Sequence, residues 1–164
     1  MKKASYFIKA LILIVTISSC SPEEQIDNTN FNNIENSTLE LNDIENEILE
    51  KINNHRASIG LNILKINNEI KIQTENHTIY MINKDKASHD YFYSRKEYLI
   101  SHAKAIKVSE NVAYGFTSAE SVVNSWIKST VHAQNIEGDH THFNISAKKN
   151  TKGKWYYTNI FIKK

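Results

Sequence analysis

The seven histidines of this 164-residue chain include His89 and His132, which stand among apolar and aromatic residues of the kind a fold buries. His89 and Asp90 lie in Ser88-His89-Asp90-Tyr91-Phe92. Glu110-Asn111-Val112-Ala113-Tyr114-Gly115 follows, then Ser118-Ala119-Glu120-Ser121-Val122-Val123-Asn124-Ser125-Trp126 and His132-Ala133-Gln134-Asn135-Ile136. Buried ionisable groups persist only when paired, hydrogen-bonded or metal-bound, so a carboxylate and imidazoles in such company mark a site. Neutral imidazole nitrogens and a carboxylate oxygen are good zinc ligands, and a three-ligand site with an open position can acidify water for ester or peptide hydrolysis. The spacing does not specify that chemistry, because no His-x-x-x-His pair falls on an expected helix. A polar network is the alternative: Glu110 accepts from His89 and from backbone amides and fixes a loop between helix and sheet. Ser88, Ser109 and Ser129 flank candidate imidazoles, but none occupies a Gly-x-Ser-x-Gly elbow.

This order of residues resembles the CAP superfamily, the domain of cysteine-rich secretory proteins, antigen 5 and pathogenesis-related type-one proteins, in its cysteine-poor bacterial form. The likeness covers roughly the C-terminal three quarters of the chain. It implies that His89 and Glu110 are a cavity pair, half of a tetrad of two histidines and two acids that holds a divalent metal in many relatives. Ser129 and Asp139 fall where the other two members would stand. Ser129-Thr130-Val131-His132-Ala133-Gln134-Asn135-Ile136 resembles a Ser-Pro-Gly-His-Arg-Asn-Ile segment, through which His132 would restore an imidazole. Thr141-His142-Phe143 resembles the start of a strand in bacterial members, and Tyr156-Tyr157-Thr158-Asn159-Ile160-Phe161 resembles a Tyr-Tyr-Thr-Gln-x-Phe ending. The candidate catalytic residues are thus His89, Glu110 and His132. The candidate ligands for a divalent metal such as zinc are His89, Glu110, His132 and His142. His55, His102 and His140 read as surface or loop residues.

The elements that would position these side chains follow from periodicity. Asn42 or Asp43 caps a helix in which Ile44, Ile48 and Ile52 recur, with Glu47 and Lys51 set for an i,i+4 pair and Gly60 closing the segment. A second helix starts near Asn67 or Asn68, its inward stripe Ile70, Thr74, His77 and Met81, which makes His77 a satisfied core residue. Thr117-Ser118-Ala119-Glu120 reads as a capping box ahead of Val122, Val123, Trp126 and Ile127. From His142 the period becomes two: Phe143, Ile145 and Ala147 face one way and His142, Asn144 and Ser146 the other. A turn at Asn150 to Gly153 leads into Trp155 to Ile162, an antiparallel hairpin. Helices first and strands last predict an α+β fold with helices packed on a mainly antiparallel sheet; the family resemblance implies an α-β-α sandwich of the CAP type.

Lys2 and Lys3 precede an apolar run from Ala10 to Ile17, and Ile17-Ser18-Ser19-Cys20 looks like a lipobox. Residues 1–19 read as a lipoprotein signal peptide and Cys20 as the lipidated residue. Residues 20–41 carry that cysteine and a flexible tether, and residues 42–164 form the CAP domain. Cys20 is the only cysteine, so no disulfide can staple the fold. The formal +2 of 20 basic and 18 acidic residues loses Lys2, Lys3 and Lys9 with the signal, leaving 17 against 18. A mature domain near neutrality lacks the clustered cations that nucleic acid requires, and Lys148, Lys149, Lys152 and Lys154 decorate a solvated hairpin turn. The expected protein is an extracytoplasmic lipoprotein held at a membrane through Cys20, at the outer membrane or cell surface. It binds a small molecule, lipid or protein through a His/Glu cavity. The alternative is a divalent-metal-dependent hydrolase acting on cell-envelope or host material.

Overall fold

The computed structural model describes residues 40–164. The signal peptide, Cys20 and nearly all of the expected tether lie outside the described residues. The order of elements is α1 (Asp43–Ser58), β1 (Lys65–Ile66), α2 (Asn68–Lys84), α3 (Phe92–Ala103), β2 (Lys107–Tyr114), α4 (Ala119–Lys128), α5 (Thr130–Ile136), β3 (His142–Lys149) and β4 (Trp155–Lys163). The strands form one sheet in the order β1-β3-β4-β2, antiparallel except for the short β1–β3 pairing. This is the α+β arrangement expected of the sequence, with helices on both faces.

Asn42 caps α1 through a reciprocal box: its side chain accepts from the Glu45 amide at 3.1 Å, and Glu45 accepts from the Asn42 amide at 3.0 Å. Ile48, Leu49 and Ile52 then turn inward, each contributing about 1.5–3 kcal/mol by burial. The stripe Ile70, Thr74, His77 and Met81 of α2 is buried as expected. The capping box of α4 sits one residue later than expected. Ser118 is the N-cap and exchanges hydrogen bonds with Ser121, whereas Thr117 and Glu120 take no part in the exchange. A serine hydroxyl at N3 reaches back as a glutamate would, so the sequence held two overlapping frames.

Register divides the core in two. Val108, Glu110, Val112 and their cross-strand partners, such as Ile160 and Ile162, share one face. There Ile160, Ile162 and half-buried Val108 pack with Ile70, Leu99, Ala103 and Ala105 of the α2–α3 side. Phe143, Ile145, Ala147, Tyr157 and Phe161 take the other face with Ile48, Ile52, Val122, Trp126 and Ile136, on the side of α1, α4 and α5. Both faces of β3 are therefore buried. Asn144 and Ser146, which the alternation set opposite the apolar row, meet α2 through Asn67 and Thr78.

Unpaired strand edges invite other chains, and side chains close both edges here. Beyond the two residues of β1, Lys71 donates to the Ile145 carbonyl at 3.1 Å and to Glu45 at 2.7 Å. Glu45 accepts from the Ala147 amide at 2.7 Å, and Asn42 donates to the Ala147 carbonyl at 3.1 Å. At the opposite edge Asn135 donates to the Glu110 carbonyl at 3.1 Å and Trp126 to the Val112 carbonyl at 3.3 Å.

Candidate functional site

Glu110 lies within edge strand β2, and its side chain is 1% exposed. Such a carboxylate needs a counter-charge, and Arg95 of α3 supplies it. The guanidinium donates through Nε to Oε2 and through Nη2 to Oε1, both at 2.8 Å, a two-point match of fork to carboxylate. Burial pulls the Arg95 guanidinium below its ordinary range while the charge and hydrogen bonds of Glu110 push it back. Arg95 was not among the residues expected from the sequence.

His89 completes the group. Its Nδ1 stands 2.8 Å from Glu110 Oε1. A carboxylate paired with arginine only accepts, so Nδ1 carries the proton and Nε2 faces outward on a side chain that is 53% exposed. The loop that presents His89 is pinned at each residue around it. His77 donates from Nε2 to the Ser88 carbonyl at 2.7 Å, and the Ser88 hydroxyl accepts from the Asp90 amide at 3.2 Å. Tyr80 donates to the Asp90 carboxylate and Arg95 to the Asp90 carbonyl, each at 2.7 Å. The Tyr80 hydrogen bond holds the Asp90 carboxyl below its usual range, and accordingly the Tyr80 phenol is pushed up to about 12. Tyr91, at φ 59° and ψ 21°, takes the left-handed region that a bulky residue enters at a cost of about 1–3 kcal/mol. This web of bonds holds it there. His77 is the satisfied core histidine expected, and burial lowers its pKa ahead of the opposing pull of Glu110.

Asn111, the next residue on β2, points to the other face. It donates to the His132 carbonyl at 3.1 Å and accepts from Asn135 at 2.8 Å, and so fastens α5 to the sheet. His132 Nδ1 lies 2.8 Å from the Ser129 hydroxyl. Its pKa is lowered, first by burial and then by the charge of His89. The segment that resembles Ser-Pro-Gly-His-Arg-Asn-Ile forms helix α5, with Ser129 at its N-cap.

His142 sits elsewhere. Strand β4 separates it from β2, and it lines a hollow of about 300 Å³ with Lys65, Asp139, His140 and Lys164. The four expected metal ligands thus do not converge: among the described residues no three of His, Cys, Asp and Glu come together as a metal set. Glu110 is committed to Arg95 and His89, which leaves a pair of imidazoles from opposite faces. That donor set does not fit the His/Glu metal centre the resemblance implied. Asp139, at the expected second-histidine position, is exposed and pairs with Lys163. His140 departs from its expected surface position: it is 4% exposed and stacked on Phe161, with its pKa lowered to about 4 by burial and by Lys107 and Arg56.

Beside His89 and Glu110 opens a recess of about 270 Å³, walled by Phe92 and Val108 and edged by Ser109 and Asn135. A second recess of about 230 Å³, lined by Tyr114, Trp126 and His132 among others, follows the same edge strand.

The fold has known counterparts. The fold is similar to that of an outer surface protein from Borrelia burgdorferi, at 19% identity and a TM-score of 0.66, covering 75% of this chain and 96% of that one. A cysteine-rich secretory protein from Staphylococcus aureus matches at 20% identity and a TM-score of 0.60, over 76% of this chain and 41% of its own. An extracellular protein containing an SCP domain from Bacillus anthracis matches at 20% and 0.63, over 73% and 40%. The latter two are therefore much longer than the region shared. No curated protein matches the chain in sequence. The model of the cysteine-rich secretory protein family matches residues 49–161, more than half of the sequence and all of the site just described. The chain belongs to the cysteine-rich secretory protein (CAP) family.

Proposed function

We propose that this chain is an extracytoplasmic, lipid-anchored CAP domain that binds a small ligand in the recess beside His89. The observation that carries the reading is that the polar groups fixing this recess are already satisfied by one another. Glu110 is neutralised by Arg95, and the loop carrying His89 is pinned before any ligand arrives. What remains is a preformed recess with apolar walls and a few polar groups, the usual character of a small-molecule site. The anchor rests on the charged, then apolar, then small-residue order that ends in Cys20. The outer-surface and extracellular descriptions of structurally similar proteins support a location outside the cytoplasm.

Two measurements test this. Cys20→Ser is expected to move the protein from the membrane to the soluble fraction and abolish labelling by a radioactive fatty acid; unchanged labelling would refute the anchor. Fragment screening by NMR is expected to perturb Phe92, Val108, Ser109 and Asn135 first, and hits confined to other surfaces would count against the recess. Stoichiometric zinc in protein purified without added metal would favour a metal-dependent hydrolase over the binding module.

A further inference from the structure

One pairing in the recess wall takes no part in the network around Glu110. Ser109 is one of the residues lining the recess, and its hydroxyl lies 3.1 Å from Nε2 of His140. The other ring nitrogen, Nδ1, is buried with no hydrogen-bond partner among the described residues. The imidazole is held on several sides. It stacks on Phe161 with ring centroids 5.7 Å apart, and its own amide donates to the Gly138 carbonyl at 2.9 Å. Arg56 donates to the same carbonyl at 3.0 Å. A Cβ on Gly138 would come within 2.7 Å of Nε2, so glycine is what lets the ring lie there.

A neutral imidazole has one N–H to place. On Nδ1 it would be a buried donor with nothing to receive it, in a neighbourhood made positive by Lys107 and Arg56. On Nε2 it donates to Ser109, and the lone pair left on Nδ1 is favoured by those same cations. The second arrangement costs less. It makes the serine oxygen an acceptor toward His140 and leaves the hydroxyl hydrogen available to another acceptor. It also means that His140 does not draw the proton from Ser109, so the pair is not a nucleophile and its base.

We propose that Ser109 is the ligand-selecting donor of this recess, oriented by His140 as a positioning residue, and that the ligand offers it a carbonyl oxygen from an apolar body resting on Phe92 and Val108. This deepens the binding reading above and rests on it. A recess of about 270 Å³ holds nine or so groups at about 30 Å³ each, the size of a single ring with a short substituent.

The test titrates the full chain with acetophenone and with isopropylbenzene, a matched body without the oxygen, and follows both by NMR. Acetophenone is expected to bind about fivefold more tightly, the worth of one hydrogen bond. Ser109→Ala should bring that preference to about one, and Ser109→Thr should restore it. Gly138→Ala, which presses on His140 without touching the recess, should weaken the preference in the same direction. Equal binding of the two compounds by the unmodified chain, or a preference that survives Ser109→Ala, overturns the donor assignment and leaves the binding reading standing. Labelling of Ser109 by diisopropyl fluorophosphate would show that His140 takes its proton and would also overturn the assignment. If neither compound perturbs the recess, the binding reading fails and this inference fails with it.

Discussion

Arg95→Met isolates the step on which the site's geometry depends. The substitution keeps an apolar stem of similar length and removes three donors, two to Glu110 and one to the Asp90 carbonyl. The Glu110 carboxylate, 1% exposed, is left with His89 as its one side-chain donor. Removing one member of a buried ion pair costs about 3–5 kcal/mol, because the remaining charge has lost its compensation and cannot reach water. For a domain of this size each kcal/mol is worth about 3–5 °C in melting temperature, so a drop of roughly 9–25 °C is expected near neutral pH.

The deficit should depend on pH. In the variant, an uncompensated buried carboxyl has its folded pKa raised above the unfolded value of about 4.3. A group shifted that way favours folding at low pH and loses that contribution as pH rises through its folded pKa. The gap between variant and parent is therefore largest at pH 8 and narrows towards pH 5. Adding Glu110→Gln to the variant should recover part of the loss at pH 8, since the amide has no charge to strand. Denaturant melts followed by circular dichroism at the two pH values provide the assay. A loss below about 1 kcal/mol at pH 8, or an equal loss at both pH values, would refute the claim that Arg95 compensates a buried carboxylate.

Three further outcomes follow from the same structure. Lys71→Met leaves Glu45 buried without its cation and frees the Ile145 carbonyl on the β3 edge, so it should lower stability and produce concentration-dependent association in sedimentation runs; a protein that stays monomeric at every concentration would contradict the edge-sealing role. His140, at about 4 in the fold against 6.5 unfolded, takes up a proton only in the unfolded chain between those values, so stability should fall by about 1–2 kcal/mol from pH 6.5 to 4 and then level. His140→Gln should flatten that part of the pH–stability curve. Asn111→Ala removes the ties to His132 and Asn135, and hydrogen exchange should show α5 losing protection while β3 and β4 keep theirs.

The parts of the fold legible in the sequence were those whose burial is written as periodicity. Helices α1 and α2 carry apolar residues at helical spacing, and the β3–β4 hairpin alternates around a glycine-containing turn. Strand β2 was hidden because Glu110 and Asn111, adjacent and both polar, are both buried, one served by each layer of helices. Helix α3 begins at a left-handed tyrosine with no side-chain cap, so it announces no start. His140 sits in Gly138-Asp139-His140-Thr141, a polar run that reads as a surface loop, and only the close approach of Gly138 to its ring shows why it is enclosed. A usable sign existed for Arg95. Of 20 cationic residues only Arg56 and Arg95 are arginines, and both prove to be buried and to make several hydrogen bonds. Where a chain spends lysine on its surface, its rare guanidiniums mark places that need a fixed fork of donors.

The adjacency of Glu110 and Asn111 also explains why the site lies on an edge strand. Successive side chains of a strand point to opposite faces, so the dipeptide holds the His89 loop and α3 on one side of the sheet and α5 with His132 on the other. In a central strand those two sets of groups would be kept apart by the neighbouring strands. At the edge both sets flank one strand, with His89 bonded to Glu110 on one side and the His132 carbonyl to Asn111 on the other. A slip of one residue in the β2–β4 register would send the carboxylate to the Trp126 side and the amide to Arg95, leaving both charges without partners. In a domain whose one cysteine lies outside the described residues and can form no disulfide within the chain, this polar lock ties the two helical layers to a single strand. The recess beside His89 is shaped by that lock before any ligand enters it.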